Sequence, residues 1–63
     1  MDDEKFNMSM RKFLKQVGVT AQQQIEKAVR ASGKSSGKIA VKIVLTGAQV
    51  GLEHTVEGEI ELG

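Results

Sequence analysis

The apolar residues of this chain change period once, between Ser32 and Lys38, and that change limits what the chain can fold into. Up to Ser32 they recur at three- and four-residue spacing; from Lys38 they fall on every second residue, with a row of glutamates between them. A period near 3.6 specifies helix and a period of 2 specifies strand. The expected architecture is therefore α+β. Two N-terminal helices form an αα-hairpin packed on one face of a C-terminal antiparallel β-hairpin, in the order ααββ.

The helical half reads as follows. Phe6, Met10, Phe13, Leu14 and Val17 make one stripe, which places a first helix at about residues 3–17. Asp2, Asp3 and Glu4 suit the positive end of its dipole, and Lys12 and Lys15 suit the other end. Gly18 follows as a closing residue in the left-handed conformation. Thr20 with Gln23 three residues later is a capping box, opening a second helix over about 20–32. Its stripe is Ala21, Ile25, Ala28 and Val29, and Gly33 stops it. Val19 is expected to tuck into the core between the two helices.

Residues 33–37 are a flexible linker by composition. Within it, Gly33-Lys34-Ser35 imitates the end of a phosphate-binding loop. That motif needs a glycine where Ala28 stands, a strand before it and a helix after it. Here a helix precedes and a strand follows, so nucleotide binding fails on the order of elements.

Strands are expected at about 38–46 and 51–62. Ile39, Val41, Ile43 and Leu45 make the apolar face of the first, and Leu52, His54, Val56, Ile60 and Leu62 that of the second. Gly47 to Gly51 supplies the reversal. For both apolar faces to lie on one side, an odd residue must pair with an even one. That condition allows Leu45 opposite Leu52 with Val41 opposite Val56, or a register shifted by two. Gly58 is read as a bulge or bend. Lys38 and Lys42 come near the row Glu53, Glu57, Glu59 and Glu61 in either register.

Length and composition narrow the functions. The 63 residues suffice for a single small domain over 1–63. No cysteine is present, which removes disulfides, thiolate metal sites and thiol catalysis. No apolar run approaches the roughly 20 residues of a membrane span, and the acidic N-terminus is unlike a targeting segment. A cytoplasmic protein with no membrane partner is expected. His54 is the one histidine of the chain. It has no cysteine or second histidine beside it and is read as a buried or half-buried structural residue. Carboxylates two apart on a flat strand do not converge on one cation. No catalytic or metal-binding residue, no cofactor and no small-molecule ligand is therefore expected, and the chain is not read as an enzyme.

Contact surfaces remain. Residues 1–37 carry seven Lys/Arg against four Asp/Glu, and residues 38–63 carry two against four, so a mildly basic half precedes a mildly acidic one. Met8, Arg11, Lys12 and Lys15 lie away from the first stripe and form a candidate interaction surface, with Met8 the residue that ordinary solvation does not explain. An isolated hairpin is marginal and has two open edges. Ala40 and Val44 also leave its polar face partly apolar. A homodimer, joined by hairpin edges or outer faces, answers both problems. A protein-interaction or self-associating module is the first functional expectation, with an unknown protein or a second copy as partner. The alternative is a nucleic-acid-binding protein of helix-turn-helix type, with Gln23, Lys27 and Arg30 as contacts alongside the basic residues of the first helix. It has defects: Ile25 stands one place beyond the expected core position, a third helix is missing, and the basic footprint is weak.

Three stretches carry a resemblance. Phe6-Asn7-Met8-Ser9-Met10-Arg11-Lys12-Phe13-Leu14-Lys15, then Val17-Gly18-Val19-Thr20, and finally Gly51 to Leu62 are similar to a family of short bacterial proteins of unknown function. The resemblance covers nearly all of the chain except Ser32 to Gly37. It implies a bacterial cytoplasmic protein and brings no activity, substrate or functional residue with it.

Overall fold

The computed structural model describes all 63 residues. It contains one α-helix, α1 (Asp3–Ser32), then strand β1 (Lys38–Gly47), one turn of 3-10 helix (Ala48–Val50) and strand β2 (Leu52–Glu61). The order is αββ. The expected αα-hairpin is absent, and the expected ααββ order is corrected accordingly. The chain falls into two compact units, Met1–Gly33 and Lys34–Gly63.

The first unit is a single helix of 30 residues, about 45 Å long at 1.5 Å per residue. Asp2 caps its start: the backbone is extended there, and the carboxylate accepts from the Lys5 amide at 3.1 Å, satisfying one of the first-turn donors that have no intrahelical partner. Asp3 and Glu4 follow in the first turn and Arg30 stands in the last, matching the dipole at both ends. Lys12 and Lys15, assigned to a helix end from the sequence, are mid-helix. Gly33 ends α1 with φ 72°, its amide donating to the Arg30 carbonyl at 3.4 Å. That is the left-handed closure for which glycine is favoured.

Gly18 does not repeat it. The positive-φ residues of the chain are Gly33, Gly37, Gly51 and Gly63, so Gly18 keeps a right-handed helical backbone. Thr20 does not cap a second helix either. Its hydroxyl donates back to the Gln16 carbonyl at 2.9 Å and to that of Val17 at 3.5 Å, the arrangement by which a mid-helix threonine satisfies itself within its own helix. Val19, expected in a core, is 49% exposed. The apolar spacing agrees with continuity. Leu14, Val17, Ala21 and Ile25 step by three, four and four straight through the Gly-Val-Thr segment, so the stripe keeps its phase on one 3.6-residue helix.

The second unit is a two-stranded antiparallel sheet. Its register runs one-to-one from Lys38↔Glu61 to Gly47↔Leu52, through Ile39↔Ile60, Val41↔Gly58, Ile43↔Val56 and Leu45↔His54. Odd residues pair with even ones, and of the two permitted alignments the shifted one is adopted. Gly58 sits in the ladder opposite Val41 with no interruption, so the bulge expected there is corrected to a regular strand position. The chain reverses through Ala48–Val50 and Gly51, whose φ of 65° and bond to the Ala48 carbonyl at 3.4 Å close the turn. A four-residue connection ending in a left-handed glycine returns the second strand along the first.

Each unit is one layer. None of the 63 residues is buried.

Candidate interaction surface

Side chains on α1 divide by angle, at about 100° per residue. The stripe holds Phe6, Met10, Phe13, Leu14, Val17, Ala21, Ile25, Ala28 and Val29. Phe6 is 48%, Phe13 51% and Leu14 53% exposed, large fractions for residues whose transfer from water is worth about 1.5–3 kcal/mol each. Toward the C-terminal half, Val17, Ala21, Ile25 and Val29 are partly shielded.

The four residues Met8, Arg11, Lys12 and Lys15 are all exposed and lie opposite or flanking the stripe. Met8 is 66% exposed and stands among cations. Because α1 is continuous, Gln23, Lys27 and Arg30 share the same rod instead of forming a separate recognition helix. Lys12 and Arg30 lie five turns apart on one line, about 27 Å. Glu26 interrupts the basic band and accepts from Gln22 Nε2 at 3.2 Å. The helix-turn-helix comparison is corrected here. That unit needs one helix seated in the groove while another crosses the backbone at an angle, and α1 has no joint to provide the angle.

On the hairpin, parity separates two faces. Ile39, Val41, Ile43, Leu45, Leu52, Val56 and Ile60 share one side with His54. Lys38, Ala40, Lys42, Val44 and Thr46 share the other with Glu53, Thr55, Glu57, Glu59 and Glu61. The ladder sets Lys38 opposite Glu61 and Lys42 opposite Glu57, opposite charges facing each other across an exposed face. His54 lies opposite Leu45 and is exposed, which corrects the buried position expected for it. No three His, Asp or Glu side chains come together in a way that would hold a metal ion. Around Gly58 a shallow open depression is lined by Ala40, Val41, Lys42, Glu57 and Glu59. It is open to solvent.

The edges of the sheet carry more information than its faces. The Leu62 amide donates to the Gly37 carbonyl at 2.8 Å, immediately beyond the pair Lys38↔Glu61. In an antiparallel ladder, hydrogen-bonded and non-hydrogen-bonded pairs alternate. This bond therefore sets the phase: Ile39, Val41, Ile43 and Leu45 turn their amides and carbonyls toward β2. Lys38, Ala40, Lys42, Val44 and Thr46 turn theirs to the open side of β1. On β2 the outward backbone groups belong to Glu53, Thr55, Glu57, Glu59 and Glu61. Neither edge is paired with a further strand, since the sheet has only these two strands. Open edges were legible in the sequence, but their unequal protection required the register.

Comparison with known proteins places the chain in a family. It belongs to DUF6494, a family of unknown function, whose match spans residues 1–63 and so includes the linker left out of the sequence resemblance. No curated protein and no solved structure matches the chain. No helix is long and apolar enough to cross a membrane.

Proposed function

We propose that the chain is a non-enzymatic interaction module that works by associating with itself, its apolar stripe and its hairpin being covered when a second copy binds. One observation carries this reading: a chain with Phe6, Phe13, Leu14, Ile43, Val44 and Val56 each more than 40% exposed contains no buried residue. Helical stability in proteins comes mainly from packing of an apolar face, and α1 has no buried residue. A two-stranded hairpin by itself is marginal. Contiguous exposed apolar surface marks a site of association, and a protein below about 70–80 residues without a disulfide or metal commonly gains its missing core by oligomerising. The chain has no cysteine to supply a staple.

The side of α1 opposite the stripe, with Met8, Lys12, Lys15 and Arg30, stays on the outside of such an assembly. It is the surface through which the assembled module would meet a further partner.

Dilution tests the reading. If folding is coupled to association, helical circular dichroism at 222 nm falls as the protein is diluted from about 100 μM toward 1 μM, and the apparent melting temperature falls with it. A helical signal and a melting temperature that do not move across that range would defeat self-association.

A further inference from the structure

We infer that the second copy joins along the open edge of β1, about a two-fold axis through Ile43, giving a four-stranded antiparallel sheet in the order β2-β1-β1-β2. This rests on the self-association proposed above and specifies the backbone edge at which two hairpins join, which brings their apolar faces together on one side of a single sheet. Three edge pairings are available. Joining β2 to β2 sets the outward residues Glu53, Thr55, Glu57, Glu59 and Glu61 against the same set. Any register spanning most of the strand then places glutamate opposite glutamate, and like charges directly opposite are destabilising. Charged residues on an edge are a standard protection against such pairing.

Joining β1 to β2 matches Lys38 and Lys42 with glutamates. It is a head-to-tail contact, however, and leaves a fresh β1 edge exposed at every step, so it propagates as an open fibre. Joining β1 to β1 closes. Both remaining edges of the product are β2 strands, each guarded by four glutamates.

The register of the closed pairing follows from parity, charge and the length of overlap. With the axis perpendicular to the sheet, both apolar faces stay on one side only if residues of like parity are paired. An axis at Lys42 would oppose Lys42 to itself. An axis at Ala40 would oppose Lys38 to Lys42. Axes at Val41, Ile43 and Val44 avoid both, and of these Ile43 keeps the most of β1 in the overlap, Ile39 to Gly47. It sets Lys42 opposite Val44 and Ala40 opposite Thr46, all four with outward backbone groups, for about eight new hydrogen bonds. On the apolar face it sets Val41 opposite Leu45 and Ile43 opposite its own copy. The partly apolar character of Ala40 and Val44, on a face that is otherwise charged, has a place in this arrangement: both lie at the join.

The self-pair at Ile43 provides the test. It is a non-hydrogen-bonded pair, with Cα atoms about 4.5 Å apart, within the range a disulfide spans. The chain has no other cysteine. Ile43→Cys in the full chain, under mild oxidant, is expected to give a covalent dimer on a non-reducing gel. Val56→Cys sits opposite Ile43 on the same face but on the outer strand, about 14 Å from its copy by strand spacing. It is expected to crosslink on the order of tenfold more slowly or less.

A second pair of variants addresses the backbone. Val44→Pro removes an outward amide and no bond within the hairpin, so it is expected to abolish the dimer. Thr55→Pro does the same on the guarded edge and is expected to leave the dimer intact. If Val44→Pro does not fold, the cysteine pair decides. Equal crosslinking of Val56→Cys and Ile43→Cys, or fibre formation by the unmodified chain, would overturn the β1 join. So would a dimer by sedimentation that neither cysteine links, with self-association itself left standing. A chain that is monomeric at every concentration would overturn both.

Discussion

Gly18→Ala discriminates one helix from two by the sign of its effect. Gly18 lies in the middle of α1 with a right-handed backbone, and a Cβ built there meets no heavy atom within 4 Å. No steric term opposes the substitution. Glycine in a helix interior is about 0.8–1.0 kcal/mol less favourable than alanine, because alanine leaves less backbone freedom to lose. The variant is therefore expected to stabilise α1 by about 1 kcal/mol, roughly fivefold in the folding equilibrium, or about 4–8 °C in melting temperature for a domain of this size. The assay is urea or thermal unfolding followed at 222 nm, with wild type and variant at one protein concentration so that association does not enter the difference. Gly33→Ala is the internal comparison. At φ 72° an alanine is strained by about 1–2 kcal/mol, so this variant is expected to lose stability where the other gains it. Destabilisation by Gly18→Ala, comparable to that of Gly33→Ala, would show a left-handed joint at Gly18 and refute the continuous helix.

Other substitutions probe single features. Asp2→Ala removes the side chain that accepts from the Lys5 amide and is expected to cost about 1 kcal/mol, read as reduced ellipticity and faster amide exchange in the first turn. Gly51→Ala places a side chain at φ 65° in the hairpin turn and is expected to destabilise the hairpin by about 1–2 kcal/mol, seen as weakened cross-strand Overhauser contacts between Leu45 and His54. Gly58→Val adds a β-branched side chain opposite Val41 where a Cβ meets nothing within 4 Å. It is expected to stabilise the strand pair by about 0.5–1 kcal/mol, measured as slower amide exchange in β2; faster exchange would indicate that a neighbour fills the notch.

The strands were legible because two independent constraints agreed. Alternation assigned Ile39, Val41, Ile43 and Leu45 to one face, and parity then left two alignments, of which the structure adopts Leu45↔His54. The choice between them was not legible, since it depends on how many residues the turn consumes. Ala48 to Gly51 uses four, closed by a left-handed glycine. The helix was misread at Gly18-Val19-Thr20, where each residue carries a boundary propensity. The competing signal was the unbroken phase of Leu14, Val17, Ala21 and Ile25. A glycine costs about 1 kcal/mol inside a helix, and a long helix absorbs that without breaking. Thr20 resolves its own polarity by bonding back to Gln16. Gly33 looked the same in the sequence and did end the helix, because no apolar periodicity continues beyond it.

The candidate surface divided likewise. Met8, Arg11, Lys12 and Lys15 are exposed on α1, and their angles around it follow from spacing alone. The grouping of Gln23, Lys27 and Arg30 as a separate recognition element failed with the joint on which it depended. The unequal protection of the two sheet edges needs the hydrogen-bond phase, set by the bond from Leu62 to Gly37, which no pattern of residue types reveals.

Sedimentation equilibrium on the unmodified chain over a wide concentration range tests the central claim most directly. The mass is expected to rise with concentration to about twice the 6.8 kDa of one chain, with helix and hairpin signals rising alongside it. A mass that stays at 6.8 kDa at the highest concentration, with the fold intact, would contradict it.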